Sequence, residues 1–301
     1  MTITRRPALL GHRTRRPPVT VCVLVEERYL DQQQPAGVIG ALARRGVQVR
    51  TVVAEGTAVE LTSSSWLDGS GVVLARGRSN ALLGQLRSAE QAGVPVVNRS
   101  AAVRAVVDKA GMAAALAGAG LPTPRSWLGH PARLAERRDL LFPMILKPVT
   151  GDNARGLAVV RSRAELAALP WPETVALAQE FHRGDGVDVK LYVAGERVWA
   201  VRRPSPVAPD GSRRPNDDAG TPVPVTAEMQ AVAVRCAALF RLGLLGVDCV
   251  NAPDGTMLVV EVNDFPNYRG LSPQADDVLA DHVLAVAAAR DGAEGRQALT
   301  A

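Results

Sequence analysis

Residues 244–263 read LLGVDCVNAPDGTMLVVEVN. Two apolar runs, Leu244–Asn251 and Thr256–Asn263, flank the turn residues Ala-Pro-Asp-Gly, which is the pattern of a β-hairpin. Side chains alternate between the faces of a strand, so Glu261 and Asn263 point the same way. With Asn251 paired to Thr256 across the four-residue turn, Asp248 falls opposite Val259 and shares that face. Asp248, Glu261 and Asn263 then offer oxygen ligands alone. Such a set suits Mg2+, which takes a few protein oxygens and leaves its other positions to water and phosphate. Three polar residues on the wet face of a half-exposed hairpin satisfy the same alternation, but they give no reason for an amide between two acids in Glu-Val-Asn-Asp.

An earlier hairpin, Val187–Val193 with Arg197–Arg203, is joined through Ala194-Gly195. On it Asp188 and Lys190 share a face, and Arg202 and Arg203 end the return strand. An acid for a ribose hydroxyl and a cation for a phosphate can project from one such surface; solvated ion pairs explain it equally. Lysine is scarce in this chain: 32 of 35 basic residues are arginine, and the lysines are Lys109, Lys147 and Lys190. In so arginine-rich a sequence, lysine is kept where a compact ammonium on a slim stem is needed, as against phosphate. Lys147 ends the apolar strand Leu140–Pro148, and the loop Thr150–Arg155 after it can turn backbone N–H groups toward an anion. That loop is neither a Walker loop nor a dinucleotide fingerprint. Gln179-Glu180-Phe181 closes the strand Val175–Phe181, beside a base or as a plain edge.

Toward the N-terminus the grammar differs. Val19–Val25, Val47–Val53, Gly71–Ala75 and Val94–Val97 read as strands alternating with helices at Pro35–Arg45 and Asn80–Gln91, which implies a parallel α/β domain. A single helix from Ser100 to about Ala117 leads into the stiff linker Leu121-Pro-Thr-Pro124. Farther on, 204–225 reads as a long loop, Thr226 caps a helix ending near Gly243, and a last helix covers about Ala275–Arg290. Arg76 and Arg78 follow the third parallel strand and face the crevice at its C-terminal end.

Composition excludes several classes. The net charge of +5 comes from five arginines in residues 1–20; the remainder is balanced, so the folded body is no basic nucleic-acid surface. No run approaches the ~18 apolar residues of a membrane span, and Leu9-Leu10 between arginines makes no signal-peptide core. Cys22, Cys236 and Cys249 lack metal or disulfide-framework spacing. His12, His130, His182 and His282 lie too far apart to suggest ligation and read as structural.

In chain order, Lys109 before the linker, Leu146-Lys-Pro148, the small-residue loop, Gln179-Glu-Phe181, Asp188-Val-Lys190, Val201-Arg-Arg203, Gly246-Val-Asp248 and Glu261-Val-Asn263 resemble the ATP-grasp superfamily over about 20–290. Gly186-Val-Asp-Val-Lys190, Gly246-Val-Asp248 and Glu261-Val-Asn263 look like RimK-type and LysX-type carboxylate–amine ligases. Val189-Lys-Leu-Tyr-Val-Ala-Gly195, Arg203-Pro-Ser205 and Phe265-Pro-Asn-Tyr-Arg-Gly270 look like inositol trisphosphate 5/6-kinases. The ligases more often have small residues where Asp264-Phe265 stands and Arg where Lys190 stands, so the acceptor stays open.

The resemblance implies an ATP-grasp fold of mixed α/β and α+β class. It comprises an N-terminal parallel α/β domain (19–98), a linker helix with a central lobe (99–182) and a C-terminal lobe with the metal site (183–290), between the disordered basic tail (1–18) and frayed end (291–301) that composition predicts. It further implies ATP and one or two Mg2+, with Mn2+ as a substitute, bound by Asp248, Glu261 and Asn263. Lys109 and Lys147 meet the nucleotide phosphates, and the loop 151–156, with Gly151 and Gly156, covers them. Gln179, Glu180 and Phe181 hold adenine through backbone groups, Asp188 holds the ribose, and Lys190 and Arg202 neutralise the transferring phosphoryl group. Substrate meets Arg76, Arg78, Arg203, Asn267, Tyr268 and Arg269. The activity implied is an amide-forming ligase acting on small-molecule or peptide carboxylates and amines, compatible with a homo-oligomer; composition adds the expectation of a cytoplasmic location without nucleic-acid or membrane partners. A small-molecule kinase and a non-catalytic nucleotide binder are the alternatives.

Overall fold

The computed structural model describes residues 19–151, 155–182, 184–208, 210–215 and 218–298. The basic tail 1–18 and three residues of the expected phosphate cover, 152–154, lie outside them. Strand β1 (Thr20–Val25) is buried at every position after Thr20, so it needs cover on both faces. Val21, Val23 and Val25 enter one core and Cys22 and Leu24 another. Helix α1 (Gln33–Arg44), β2 (Gln48–Val53), β3 (Val72–Arg76), α2 (Asn80–Gln91) and β4 (Val96–Val97) complete a parallel sheet of order β2-β1-β3-β4. Leu82, Leu83 and Leu86 of α2 cover the Cys22/Leu24 face.

The single helix expected after residue 100 is two, α3 (Ser100–Val107) and α4 (Lys109–Gly118). Asp108 breaks it by leaving helical geometry (ψ 97°), and its carboxylate accepts from the Ala110 and Gly111 N–H groups at 3.0 Å each. An N-cap of this kind satisfies donors that the first turn cannot pair. Gly111 leaves room for it, since a Cβ there would lie 2.8 Å from Asp108 Oδ2.

A second, antiparallel sheet follows: β5 (Ser126–Gly129), then α5 (Pro131–Leu134), β6 (Met144–Lys147), β7 (Ala158–Val160), α6 (Arg163–Ala168) and β8 (Ala176–Glu180), in strand order β5-β8-β6-β7. The third sheet has order β11-β10-β9-β12-β13. Its strands are β9 (Val187–Ala194), β10 (Arg197–Pro204), β11 (Thr221–Val223), β12 (Leu244–Asn251) and β13 (Met257–Asn263), with α7 (Ala227–Phe240) after β11. β11 lies in the stretch 204–225 expected as loop; its Pro222 is tolerated because β11 is an edge strand. Helix α7 stops at Arg241, in the left-handed conformation (φ 54°), before the expected Gly243.

The last helix, α8 (Gln274–Ala298), runs past the expected end at 290. Its Leu279, Ala280, Val283 and Ala287 join Val21, Val23 and Val25 in one core, with Tyr192 and Ala194 of β9. The segment expected to belong to the C-terminal lobe therefore closes the exposed face of the first sheet, clamped by Arg45 to Asp277 and Asp281 at 2.8 Å each. Among the described residues no helix is long and apolar enough to cross a membrane.

Candidate active site

The three sheets meet around a cleft of about 390 Å3. Its floor is the β12–β13 hairpin, whose register differs from the expected one. Asn251 pairs with Met257 rather than Thr256, and Cys249 with Val259. Continued without interruption, that register would set Asp248 against Val260 and turn Glu261 into the core. A bulge between Asp248 and Cys249 breaks that register, with Val260 of β13 as the extra residue, so Asp248 faces Glu261 and Gly246 faces Asn263. Val260 and Glu261 consequently both line the cleft, while Val259 and Val262 stay in the core behind. Asp248, Glu261 and Asn263 reach one face, as expected, by a different route.

Each carboxylate is met by a lysine. Lys190 Nζ lies 2.7 Å from Asp248 Oδ2 and 3.6 Å from Asp188 Oδ2. Lys109, placed at the first turn of α4 by the Asp108 break, donates to Glu261 Oε1 at 2.5 Å. Lys147 ends β6 and is 7% exposed. Burial lowers its pKa to about 8, against the pull of Glu261. Burial works against charge on Lys190 too, but Asp248 and Asp188 outweigh it and hold its pKa above the usual lysine value. Glu261 resists its own burial because Lys109 and Lys147 keep its carboxyl below the ordinary range. Two carboxylates and an amide form an oxygen-only set that fits a hard divalent cation. Among the described residues no cluster of three or more His, Cys, Asp or Glu side chains could hold a metal by itself; a cation here draws on Asn263 and on ligand oxygens.

One end of the cleft is apolar, with Ile145, Leu157, Phe181, Val250 and Val260 between the second and third sheets. The expected adenine-binding backbone groups are partly committed: Glu180 N–H donates to the Arg125 carbonyl and Phe181 N–H to the Pro143 carbonyl, 3.0 Å each. Pro143 has no N–H to return, which leaves the Phe181 carbonyl without that ladder bond. Gln179 is buried, its Nε2 donating to Ser126 Oγ at 2.9 Å, and it too lines the cleft. Asp188 Oδ1 is buried without a partner, an acceptor to spare. Of the phosphate cover, Gly151 lines the cleft. Gly156 (φ +71°) allows the chain to pass Pro148, whose Cγ would be 2.7 Å from a Cβ there.

At the other end Arg76, Arg78, Arg203, Asn267 and Arg269 line the cleft, as expected. Two expected residues do not. Arg202 pairs in register with Val189, so it projects from the face opposite Lys190 and binds Asp185 at 2.6 Å at the surface. Arg203, opposite Asp188, is the arginine that β10 delivers to the cleft. Tyr268 turns inward and packs with Ala275 and Leu279, and burial pushes its phenol pKa up. Sequence reasoning passed over Tyr29 and Gln32, which also line the cleft. They follow the first parallel strand, so the rule that selected Arg76 applies to them. His182, set aside as structural, lines it as well, 3.8 Å from the Glu180 carboxylate.

The family model of the RimK-like ATP-grasp domain matches residues 106–286. A probable alpha-L-glutamate ligase of Alkalilimnicola ehrlichii is 31% identical over 213 residues, covering 66% of this chain and 69% of the relative. Among solved structures, a RimK domain ATP-grasp protein from Sphaerobacter thermophilus superposes with a TM-score of 0.69 at 24% identity, over 88% of this chain and 99% of that one. The ATP-grasp ligase PsnB, solved with a phosphomimetic variant of a minimal precursor, Mg and ADP, gives 0.66 at 22% identity, over 92% and 100%. Both likenesses are of fold.

Proposed function

This chain belongs to the RimK-like ATP-grasp family, and from that premise we propose that it is an ATP- and Mg2+-dependent carboxylate–amine ligase. The observation that carries the reading is the pair of opposed carboxylates, Asp248 and Glu261, each held by a lysine in one cleft. Lysines neutralising carboxylates at rest are poised to exchange those partners for the phosphates of ATP, while the carboxylates and Asn263 take up the cation. Bound there, Mg2+ supplies charge neutralisation to the phosphate oxygens.

In this reading adenine occupies the apolar end, Asp188 meets the ribose, and Lys109 and Lys147 hold phosphates. A substrate carboxylate attacks the γ-phosphorus, ADP leaves and an acyl phosphate forms; an amine then attacks the acyl carbon and phosphate departs. Lys190 and Arg203 stand where charge builds on the transferring group. Such chemistry needs positioning and electrostatic stabilisation rather than a protein nucleophile. Consistent with that, Cys22, Cys236 and Cys249 are all buried outside the cleft.

The relative named for L-glutamate makes glutamate, glutamyl peptides and other amino acids the first substrates to try. Hydroxylamine added to protein, Mg-ATP and these carboxylates tests the reading: a hydroxamate formed only with ATP present is the expected product. ATP consumption without a hydroxamate, accompanied by a phosphorylated hydroxyl compound, would make the protein a kinase.

A further inference from the structure

The linker Leu121-Pro-Thr-Pro124 has no part in the proposed chemistry. It runs beside β13, the outer strand of the third sheet, and covers the edge that strand would otherwise leave open. Val259 N–H donates to the Pro122 carbonyl at 2.8 Å, and Thr123 Oγ1 donates to the Val259 carbonyl at 2.9 Å. Two consecutive linker residues therefore hold both outward backbone groups of Val259. Prolines on either side restrict the backbone around Thr123. Farther along the same edge, Val262 N–H donates to the Met112 sulfur at 3.1 Å. Met112 is 2% exposed and belongs to α4, the helix that begins with Lys109.

The spacing of these contacts is that of a broken ladder. In a regular antiparallel strand, outward backbone groups recur at every second residue. From Val259 they would recur at Glu261 and Asn263, and the Val262 N–H would point toward β12. On β13 the outward contacts fall at Val259 and Val262 instead, with Val260 as the extra residue between them. Val259 faces outward only if the extra residue lies beyond it, and Val262 only if it lies before.

Hydrophobicity alone does not locate this bulge. An unbroken strand would turn Glu261 and Asn263 toward the core that holds Leu245 and Val247, so one extra residue is needed before Glu261. Leu258, Val259 and Val260 are all apolar, and none is marked out for the part. The linker and Met112 grip the strand on both sides and leave Val260, directly before Glu261. A bulge bends its strand and re-aims the side chain beside it. The same segment brings Lys109 to the Glu261 carboxylate, so α4 and the linker place both the acid and its counter-ion.

We propose that Thr123 is a positioning residue: with the Met112 sulfur it fixes the bulge at Val260 and so aims Glu261 at Asp248 to complete the cation site. That a cation sits there rests on the ligase reading; the control of register does not.

Amide hydrogen exchange and Mn2+ binding are measured on wild type, Thr123→Val, Thr123→Ser and Met112→Leu. Mn2+ is titrated in the presence of AMP-PNP and followed by water-proton relaxation. Thr123→Val keeps the shape of the side chain and loses its O–H. It should speed exchange at Val262, which Thr123 does not touch, by at least about tenfold, the weight of one hydrogen bond. Mn2+ binding should weaken by at least about tenfold, the scale for a group that orients a metal ligand. Thr123→Ser should restore both. Should Thr123→Val not fold, Met112→Leu gives the reciprocal test, with faster exchange at Val259 and weaker Mn2+ binding expected. A Thr123→Val protein that melts earlier but keeps wild-type exchange at Val262, or wild-type Mn2+ affinity, has lost only a structural contact and overturns the proposal. So does a serine variant that stays impaired. Failure of the wild type to bind Mn2+ would count against the ligase reading alone, since exchange reports the register without metal.

Discussion

Asp248 and Glu261 stand opposite one another across β12 and β13, brought together by a single inserted residue, and each is neutralised by a lysine from a different element. Lys190 comes from the adjacent strand β9; Lys109 comes from the start of a helix 152 residues upstream of Glu261. The arrangement joins separate parts of the fold through four charges.

Removing either carboxylate should abolish metal-dependent turnover, but the two should differ in stability. Glu261→Gln strips Lys109 of its carboxylate, while after Asp248→Asn Lys190 keeps Asp188 at 3.6 Å. Breaking a buried pair costs about 3–5 kcal/mol at most, so Glu261→Gln should lower the melting temperature more than Asp248→Asn. Both should reduce Mg-dependent ATP turnover by at least about 100-fold. Melting curves and a coupled ADP assay check the two parts separately.

Lys147 gives a pH signature. As pH rises through about 8 its ammonium is lost in the free protein, so its contribution to ATP binding should fall by up to about tenfold per pH unit above that value. Lys147→Ala should bind ATP weakly and without this dependence, as calorimetry across pH would show. Stability runs the other way. The folded pKa lies below the unfolded value of 10.5, so between them the unfolded chain binds the extra proton and stability rises with pH. Lys147→Met should therefore stabilise the protein most below pH 8, and the gain should fade above it.

The register of β10 separates two adjacent arginines. Arg203→Ala should lower kcat/KM by about 100-fold or more, the scale of losing one preorganised charge partner. Arg202→Ala, which removes only an exposed pair with Asp185, should change stability by less than about 1 kcal/mol and leave the kinetics near wild type. Equal loss in both variants would mean that Arg202 reaches the reacting group after all.

Asp108 offers a test of how Lys109 is placed. Asp108→Ala removes the cap of α4, a loss of about 1 kcal/mol. With the break between α3 and α4 relaxed, Lys109 loses its fixed start position, so the KM for ATP should rise. Asp108→Asn, which retains a capping oxygen, should restore both.

Much of this site was legible in the sequence because lysine is so rare there and because the candidate metal ligands lie on two strands of one hairpin. Lys109, Lys147, Lys190, Asp248, Glu261 and Asn263 all reach the cleft. What local pattern could not supply was geometry set by long-range pairing. The bulge at Val260 leaves no trace in an alternation of Val, Leu and Met. Arg202 and Arg203 are chemically alike, and only pairing with β9 sends the second inward. Tyr268 reads as a polar cleft residue until α8 folds back onto the first sheet and supplies the apolar surface that buries it. The helix break at Asp108 competes with an unbroken Ala-rich pattern, and the cap outweighs propensity there.

Product stoichiometry tests the central claim most directly. The protein is incubated with Mg-ATP, L-glutamate and glutamyl peptides, and ADP, free phosphate and amide are quantified together. A ligase gives equal amounts of all three, and none when either the carboxylate or the amine is withheld. ADP without free phosphate, accompanied by a phosphorylated acceptor, would contradict the account.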